Sequence, residues 1–340
     1  MTRKERVRLA ITHREPDRVP HQINLTIPAR EMLEAHFHTT DLDTVLDNHL
    51  AGTSPELPMV EFKPGYFRDE WGVVWNRTVD RDIGVIEGAV LAEPGLARLA
   101  LPDPHAPRRY GHMRAFLEEH SDQFLLCDIG FSLFERAWTL RGLENFFMDL
   151  ALNPEFVDEL LDVITEYDLA LVGEAGRFGF DAFQFGDDWG QQSGVTMGPG
   201  AWRRFVKPRV ARLYAAAHET GKSVFIHSCG AVQALFPDLI EVGVDVFNPF
   251  QPEVMDVVEM KRRFGDRLAF YGGVSTQRTL PYGSPEEVRA EVRRLIREVG
   301  RGGGYILSPA HDVQRDVPLE NLLALAEEVM NQGVGGGGRP

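Results

Sequence analysis

The sequence predicts an α/β protein folded as a (β/α)8 TIM barrel, with an inserted β-hairpin segment in its N-terminal third. The first reason is that short apolar runs alternate with long amphipathic stretches after residue 110. Such alternation implies parallel strands, because each crossover must run back over the sheet. The second is the length of 340 residues, which leaves room upstream for further strand–helix units. The third is that no G-x-G-x-x-G motif opens a predicted helix, which disfavours an open dinucleotide-binding sheet.

The N-terminal part of the barrel is predicted to start with a helix at residues 3–13, where apolar side chains recur at helical spacing. Residues 21–27 are expected to form the first strand, which a proline ends. Two helices should follow at 29–38 and 42–50, the second of them capped by Asp41.

Residues 54–112 differ in composition from the rest of the chain, because they are rich in proline, glycine and aromatic residues. Two runs within them, DEWGVVWNRT and GVIEGAVLAE, are typical of a β-hairpin inserted into the fold as a cover for a site. Trp71, Trp75 and Tyr66 are expected to form the small core of this insertion. The alternative is that they line a ligand cavity.

The remaining strands and helices are predicted from the alternation of apolar and amphipathic stretches. The apolar runs expected to be strands are 124–129, 181–185, 224–226, 244–247, 268–271 and 305–307. The amphipathic stretches expected to be helices are 154–177, 201–219, 255–264, 285–299 and 319–330. Residues 1–332 are therefore predicted to be a single domain, and the glycine-rich residues 333–340 a flexible tail.

Composition excludes several classes of function. The formal net charge of −15 leaves no basic face for nucleic acid. No apolar run approaches the length of a membrane span, and the charged N-terminus lacks the apolar segment of a signal peptide. The two cysteines, Cys127 and Cys229, cannot form a disulfide framework and suit a reducing compartment. A cytoplasmic protein without membrane or nucleic-acid partners is expected.

The segment SVFIHSCG, residues 223–230, is the first candidate for chemistry. Alternate residues of an extended chain point the same way, so His227 and Cys229 would face one point. A neutral imidazole and a thiolate are ligands that zinc prefers. The structural alternative is a satisfied polar histidine beside a small buried thiol, and two ligands alone do not hold a metal ion.

A third ligand is expected at His311, which follows the last predicted strand and would lie on the same rim of the barrel. Two histidines and one cysteine leave the fourth zinc position open, as in catalytic zinc sites. The alternative for His311 is a hydrogen-bonded loop histidine. Asp312 could fix its tautomer or lie exposed, and Cys127 is either a further ligand or an inert buried thiol.

Polar and aromatic side chains also follow other predicted strands, where barrel enzymes carry their chemistry. These are Asp187, Asp188 and Trp189 after 181–185, Asn248 and Gln251 after 244–247, and Tyr271 at the end of 268–271. Because Asp187 and Asp188 are adjacent, only one should face the site, as a general base, substrate anchor or fourth ligand, and Asp187 is slightly favoured. The other four residues are predicted to contact substrate.

Several separated motifs together resemble the uroporphyrinogen decarboxylase-like superfamily, and within it the zinc- and corrinoid-dependent methyltransferases. The matching motifs, in order, are EPDRVP, DEWGVVW, FERAWTLRGLENF, GDDWGQQSG, WRRFVKPR, HSCG, LIEVGVDVFNPFQP, YGGVSTQRTLPYGSPEEV, GGGYILSPAH and DVPLEN. The resemblance implies a (β/α)8 barrel with its site at the carboxyl ends of the strands. It also implies a homodimer.

The decarboxylases of this superfamily carry an arginine-rich FMRQAGR-type stretch that grips substrate carboxylates, whereas here the region reads HQINLTIPARE, with only Arg30 nearby. The methyltransferases bind zinc with an H-x-C pair and a later cysteine, for which this chain has His311. A nitrogen-rich zinc site is the better Lewis acid, and so suits an ether better than a thiol substrate.

The resemblance therefore implies a zinc-dependent methyltransferase that moves a methyl group from a small methylated, methoxy compound to a corrinoid on a separate carrier protein. The close variant is the reverse transfer, from the corrinoid to a thiol. Two alternatives remain: a metal-free decarboxylase that uses Asp187 or Asp188, and a non-catalytic barrel that binds a corrinoid or its carrier.

Overall fold

The strands of this computed structural model, which describes residues 1–332, form one large parallel sheet and two small antiparallel ones. The strands are β1 Leu50–Thr53, β2 Met59–Lys63, β3 Tyr66–Asp69, β4 Val74–Asn76, β5 Val85–Glu87, β6 Phe124–Ile129, β7 Ala182–Gly186, β8 Gly190–Gln191, β9 Gly194–Val195, β10 Ser223–His227, β11 Val246–Phe250, β12 Ala269–Val274 and β13 Tyr305–Pro309. The tail predicted at 333–340 lies outside the described residues.

The main sheet has seven parallel strands in the order β1-β6-β7-β10-β11-β12-β13. Helices connect most neighbouring strands, as parallel pairing requires. Strands β11, β12 and β13 are buried along their whole length, which is typical of a sheet covered on both faces. The predicted parallel α/β fold is therefore confirmed, with a sheet that curls.

Residues 20–25 run between the two edges of this curled sheet. The Gln22 amide donates to the carbonyl of Leu307 in β13 (3.0 Å), and the His49 amide, just before β1, donates to the carbonyl of His21 (3.1 Å). The Leu307 amide also donates to the carbonyl of Pro20 (2.9 Å), so the segment forms isolated bridges in place of a regular strand. A complete eight-stranded barrel thus stays a prediction.

The helices lie mostly where amphipathic stretches predicted them. They are α1 Arg3–Ile11, α2 Ile27–Phe37, α3 Leu42–Leu46, α4 Met113–Glu119, α5 Phe134–Arg141, α6 Leu143–Leu152, α7 Pro154–Ala175, α8 Gly198–Ala201, α9 Lys207–Glu219, α10 Phe236–Glu241, α11 Val257–Phe264, α12 Thr279–Tyr282, α13 Pro285–Glu298 and α14 Leu319–Met330. A π-helical turn, Trp202–Val206, joins α8 to α9, and short 3₁₀ turns lie at Pro107–Tyr110 and Gln233–Leu235.

Two N-terminal predictions are wrong. No regular strand forms at 21–27, where only His21 and Leu25 make isolated bridges, and Ile27 already begins α2 with a proline in its first turn, where the missing N–H costs nothing. The helix expected at 42–50 ends at Leu46, because Asp47 adopts a left-handed conformation (φ 49°). Leu50 then begins β1, which the sequence did not predict.

The apolar core has two parts. The larger lies between the main sheet and its helices, while a smaller cluster includes Phe225, Tyr271 and Ile306 from the strands, together with Val7 and Ile11 of α1. Helix α1 therefore packs against one end of the curled sheet. The opposite, carboxyl end of the strands carries His227 of β10 and leads to His311 after β13.

Residues 59–87, within the segment predicted as an inserted hairpin, contain the four antiparallel strands β2–β5. Trp71 packs on Tyr167 of α7 with ring centroids 4.8 Å apart, and Trp75 packs on Phe131 at 5.1 Å. Both tryptophans thus join the main core instead of forming a separate one, while Tyr66 is only half-buried. Whether this segment is an insertion with a covering role stays a prediction.

Within residues 1–332, the helices are all too short or too polar to traverse a lipid bilayer.

Candidate metal-binding active site

Three potential metal ligands meet at the carboxyl end of the main sheet. His227 is the last residue of β10, Cys229 follows two residues later, and His311 follows β13 by two residues. One nitrogen or sulfur atom from each lies within 4.8 Å of the others. The Cys229 Sγ is 3.5 Å from His227 Nε2, and the two imidazole centroids are 5.4 Å apart at 81°. The structure therefore brings together the residues predicted to bind zinc.

The backbone after β10 is fixed by a close approach between two loops. Gly230 has φ +91°, and a Cβ there would lie 2.4 Å from the carbonyl carbon of Gly190 in β8. Only glycine avoids both problems. The Gly230 amide donates to Gln251 Oε1 (2.6 Å) and the Ala231 amide to the carbonyl of Gln191 (2.9 Å), which holds the Cys229 loop in place.

The tautomer of His227 is set by the neighbouring strand. Its Nδ1 lies 2.5 Å from Asn248 Oδ1 in β11, and Asn248 Nδ2 donates to the carbonyl of Tyr271 (3.0 Å). Because the amide is oriented by that second bond, Asn248 Oδ1 accepts from Nδ1–H, and His227 Nε2 keeps its lone pair for a ligand. Asn248 thus orients the imidazole and also lines the adjoining cavity.

The two adjacent aspartates occupy different environments. Asp187 is fully buried and accepts from the amides of Phe134 (3.1 Å) and Glu135 (2.7 Å) and from Trp189 Nε1 (2.5 Å). It thereby caps the N-terminus of α5. Burial raises the pKa of Asp187 to about 6, against the lowering effect of these donors.

Asp188, by contrast, lies beside the three candidate ligands. Its Oδ1 accepts from the Cys229 amide (2.8 Å) and is 3.9 Å from His227 Nε2. The geometry thus favours Asp188 over Asp187 as the carboxylate of the site, the reverse of the order expected from sequence. Burial, with the Asp188 and Glu135 carboxylates nearby, raises the pKa of the Cys229 thiol.

Glu135 is a site residue that sequence reasoning missed. Burial raises the pKa of its carboxyl well above the usual range, and the charges of Asp188 and Asp187 add to that effect. It is the second residue of α5 and lies within the motif FERAWTLRGLENF, to which no role was assigned. Its only sequence signal was an acidic residue beside the apolar Phe134 at the start of that motif.

A cavity of about 550 Å³ adjoins the cluster. Successive strands of the sheet contribute polar side chains to it, and residues 22–24 contribute others. Its polar lining includes Gln22, Asn24, Asn48, Gln184, His227, Asn248, Tyr271, Ser308, His311 and Asp312. Arg30 is the only arginine or lysine along this wall within residues 1–332.

The other predicted substrate contacts divide into two groups. Asn248 and Tyr271 line the cavity, and the Tyr271 hydroxyl accepts from Asn24 Nδ2 (3.4 Å). Trp189 is fully buried against Trp202, and Gln251 binds the Gly230 amide, so neither reaches the cavity wall. Their positions indicate roles in holding the site loops.

Asp128 and Gln184 are further polar groups that the sequence reasoning passed over. Burial raises the pKa of Asp128 to about 7, and one oxygen of each side chain is buried without a hydrogen-bond partner. Both sit inside runs predicted as apolar strands, FLLCDI and DAFQF, and a polar residue within such a run was the available signal. Cys127, on the same strand as Asp128, is a buried free thiol away from the cluster.

The donor set fits a zinc ion with one open position. It supplies one thiol and two imidazoles, the ligand types of catalytic zinc, and His227 Nε2 is free to bind. His311 Nδ1 accepts from the Asp312 amide (2.8 Å), so metal binding through this atom would replace that hydrogen bond.

Known proteins similar to this chain include decarboxylases and a methyltransferase. A family model described as "Uroporphyrinogen decarboxylase (URO-D)" matches residues 86–332. A uroporphyrinogen decarboxylase from Chlorobium phaeovibrioides is 26% identical over 290 residues, covering 76% of this chain and 77% of that protein. The methylcobamide:CoM methyltransferase MtaA of Methanosarcina barkeri is 26% identical over 186 residues, covering 55% of this chain and 52% of that protein. The chain thus spans about half the length of this methyltransferase relative.

Among solved structures, a methyltransferase from Methanosarcina mazei matches with a TM-score of 0.75 and 19% identity, covering 97% of this chain and 99% of that one. At this identity the likeness shows a shared fold over nearly the whole chain.

Proposed function

The chain belongs to the uroporphyrinogen decarboxylase family, and on that premise we propose that it is a zinc-dependent methyltransferase. It moves a methyl group from a small methoxy compound to a corrinoid held by a separate carrier protein. The observation that carries this proposal is the His227–Cys229–His311 cluster beside a cavity lined mainly by neutral polar side chains.

A zinc ion on these three residues would act as a Lewis acid toward the ether oxygen of the substrate. The chain itself positions the reacting groups: Asn248 orients His227, and the Gly230 turn fixes Cys229. Asn24, Gln184 and Tyr271 offer hydrogen bonds to the remainder of the methoxy compound.

In such a transfer the carbon–oxygen bond would break with its electron pair left on oxygen, and the reduced corrinoid of the carrier would supply the nucleophile that takes the methyl group. The oxygen then takes a proton. Burial and the nearby Asp188 charge raise the pKa of the Glu135 carboxyl well above its usual range, and Asp188 itself lies 3.9 Å from His227 Nε2. These two carboxyl groups therefore form the proton supply of the proposed reaction.

The same cavity could serve two other reactions. The reverse transfer, from the corrinoid to a thiol, would use the same ligands. A metal-free decarboxylase is the second candidate, because the decarboxylase relative aligns over more of this chain than the methyltransferase relative does. Its acid would be Asp188, since Asp187 is committed to the N-terminus of α5.

The test combines metal analysis with methyl transfer from a methoxy donor to free cob(I)alamin, followed by absorbance. Cys229→Ala and His311→Ala should each lose zinc and transfer while remaining folded by circular dichroism. Cys127→Ala, which removes the other buried thiol, is the matched control and should retain both. Full activity in metal-free protein would refute the proposal.

A further inference from the structure

A second cluster of metal-ligating side chains lies apart from the proposed active site. His21, Asp47 and His49 each offer a ligand atom within 4.8 Å of the others. Both histidines are completely buried, with ring centroids 4.5 Å apart in an edge-to-face arrangement. Their sequence neighbours Gln22 and Asn48 line the large cavity, but the two histidines do not.

The hydrogen bonding of these histidines is incomplete. His21 Nε2 is 3.0 Å from the carbonyl of Leu46, so this nitrogen carries the proton and donates. The lone pair is then on His21 Nδ1, which is buried without a partner, and neither nitrogen of His49 has one. A buried imidazole nitrogen without a partner costs free energy, and native proteins rarely leave several together.

The pattern around His21 is that of a metal-ligating histidine. Such a residue donates one ring N–H to a backbone carbonyl, which fixes the tautomer and presents the other nitrogen to the ion. Burial lowers the pKa of His21 to about 4 and that of His49 to about 3, so both rings are neutral ligands at neutral pH.

We propose that His21, His49 and Asp47 form a second, structural site for a divalent transition-metal ion, distinct from the His227–Cys229–His311 cluster. Two imidazoles and one carboxylate suit zinc, iron(II) or cobalt(II). The ion would join the irregular segment 20–25 to the start of β1, because His21 and His49 come from these two neighbouring pieces of backbone.

Two arginines face the same carboxylate. Arg3 Nε donates to Asp47 Oδ1 (2.8 Å), and Arg18 donates to Asp47 Oδ2. A carboxylate has lone pairs left for an ion after two such bonds, but the positive charges oppose a cation. Binding here is therefore weaker than at the site that contains a thiolate.

The test measures metal stoichiometry in the full chain, stripped with chelator and reloaded with Co²⁺ or Zn²⁺ alone. The wild type should bind about two ions per chain, and Cys229→Ala/His311→Ala about one. In that double variant, Co²⁺ should give ligand-field absorption without a thiolate charge-transfer band. Adding His49→Gln should remove the remaining ion.

A double variant that is folded and binds no metal would overturn the second site. This outcome leaves the proposed function intact, since that depends on the first cluster. Conversely, loss of methyl transfer with one ion retained in the double variant supports both sites. If His49→Gln fails to fold, the stoichiometry and spectrum of the double variant still decide the question.

Discussion

At the scale of single residues, the two adjacent aspartates show how backbone direction separates structural from chemical roles. Asp187 points to the N-terminus of α5 and Asp188 to the metal-ligating cluster. In an extended backbone such neighbours must diverge. The sequence predicts that the two side chains point apart. It does not predict which of them faces the site, because this depends on α5, whose first residue lies 53 positions before Asp187.

Substituting Asp187 should therefore affect stability, whereas substituting Asp188 should affect methyl transfer. Asp187→Asn replaces an acceptor of three N–H groups with an amide that can accept on only one atom, so we expect about 1–3 kcal/mol lower stability in denaturant unfolding. Asp188→Asn, half-exposed, should leave stability nearly unchanged and reduce methyl transfer. Equal stability losses in the two variants would contradict this division.

The buried histidine pair gives a pH prediction for the metal-free protein. The pKa of His21 is about 4 when folded, below that of an unfolded histidine, so the folded state binds fewer protons. Stability should thus be full above about pH 6.5 and be lost as the pH falls toward 4, with a cost of about 2 kcal/mol per histidine at pH 5.

Urea unfolding at pH 7 and pH 5, with chelator present, measures this dependence. His49→Gln should shrink the difference between the two pH values by about 2 kcal/mol. His36→Gln, which changes an exposed histidine in α2, is the matched control. A pH difference that is the same in His49→Gln and wild type would show that the buried pair is not its cause.

At the scale of elements, prediction succeeded where local sequence determines structure. Strand β6 and helix α14 match their predicted ranges, because an apolar run or an amphipathic pattern specifies each one. Helix α5 was not predicted, since a carboxylate from the end of β7 caps it instead of a neighbouring side chain. Strand β1 was not predicted, because the helix was expected to continue to residue 50, whereas the left-handed conformation of Asp47 ends it at Leu46.

The same distinction applies to the candidate site. Its H-x-C pair could be predicted from one strand, and His311 from the rule that barrel sites collect at strand ends. Glu135 and Asp128 could not be placed, because their environment is created by burial among distant elements. Trp189 was expected in the cavity, but its packing against Trp202 across a loop carries no local signal.

A buried ion pair between Asp69 and Arg136 helps to hold the four-stranded sheet β2–β5 on the main fold. Asp69 Oδ2 accepts from Arg136 Nη1 of α5 (2.9 Å) and from Trp75 Nε1 (3.2 Å), while its Oδ1 accepts from the Trp71 and Val73 amides. Arg136→Leu would leave this carboxylate buried and unpaired. We expect a loss of about 3–5 kcal/mol and faster proteolysis within residues 54–112.

The matched control is Arg262→Leu, which removes an arginine paired with Glu259 on the exposed surface of α11. Exposed pairs contribute about 0–1 kcal/mol, so this variant should unfold close to wild type. If Arg136→Leu behaved like the control, the packing of Trp71 and Trp75, with the hydrogen bond from Tyr167 to Glu70 (2.9 Å), would suffice to hold the sheet.

At the scale of the whole molecule, the charge of the cavity separates the two activities found among relatives. A uroporphyrinogen is a polycarboxylate, and burying its anions requires matching cations. Here the wall carries Arg30 with Asp43 and Asp312, on a chain whose formal net charge is −15. A small methoxy compound without several carboxylates meets no such penalty.

We therefore expect no binding or decarboxylation of uroporphyrinogen III, measured by calorimetry and by anaerobic product analysis over pH 6–8. Asp43 and Asp312 are acids of this wall without a salt-bridge partner among residues 1–332, so Asp43→Asn/Asp312→Asn should improve uroporphyrinogen binding only slightly. Methyl transfer should continue in Asp43→Asn. Raised salt shortens the screening length from about 8–10 Å at 0.1–0.15 M to about 3 Å at 1 M, but it should not restore porphyrinogen binding, because salt does not supply the cations that the cavity wall lacks. Turnover of uroporphyrinogen by metal-free wild type would instead assign the cavity to decarboxylation, with Asp188 as the first carboxylate to substitute.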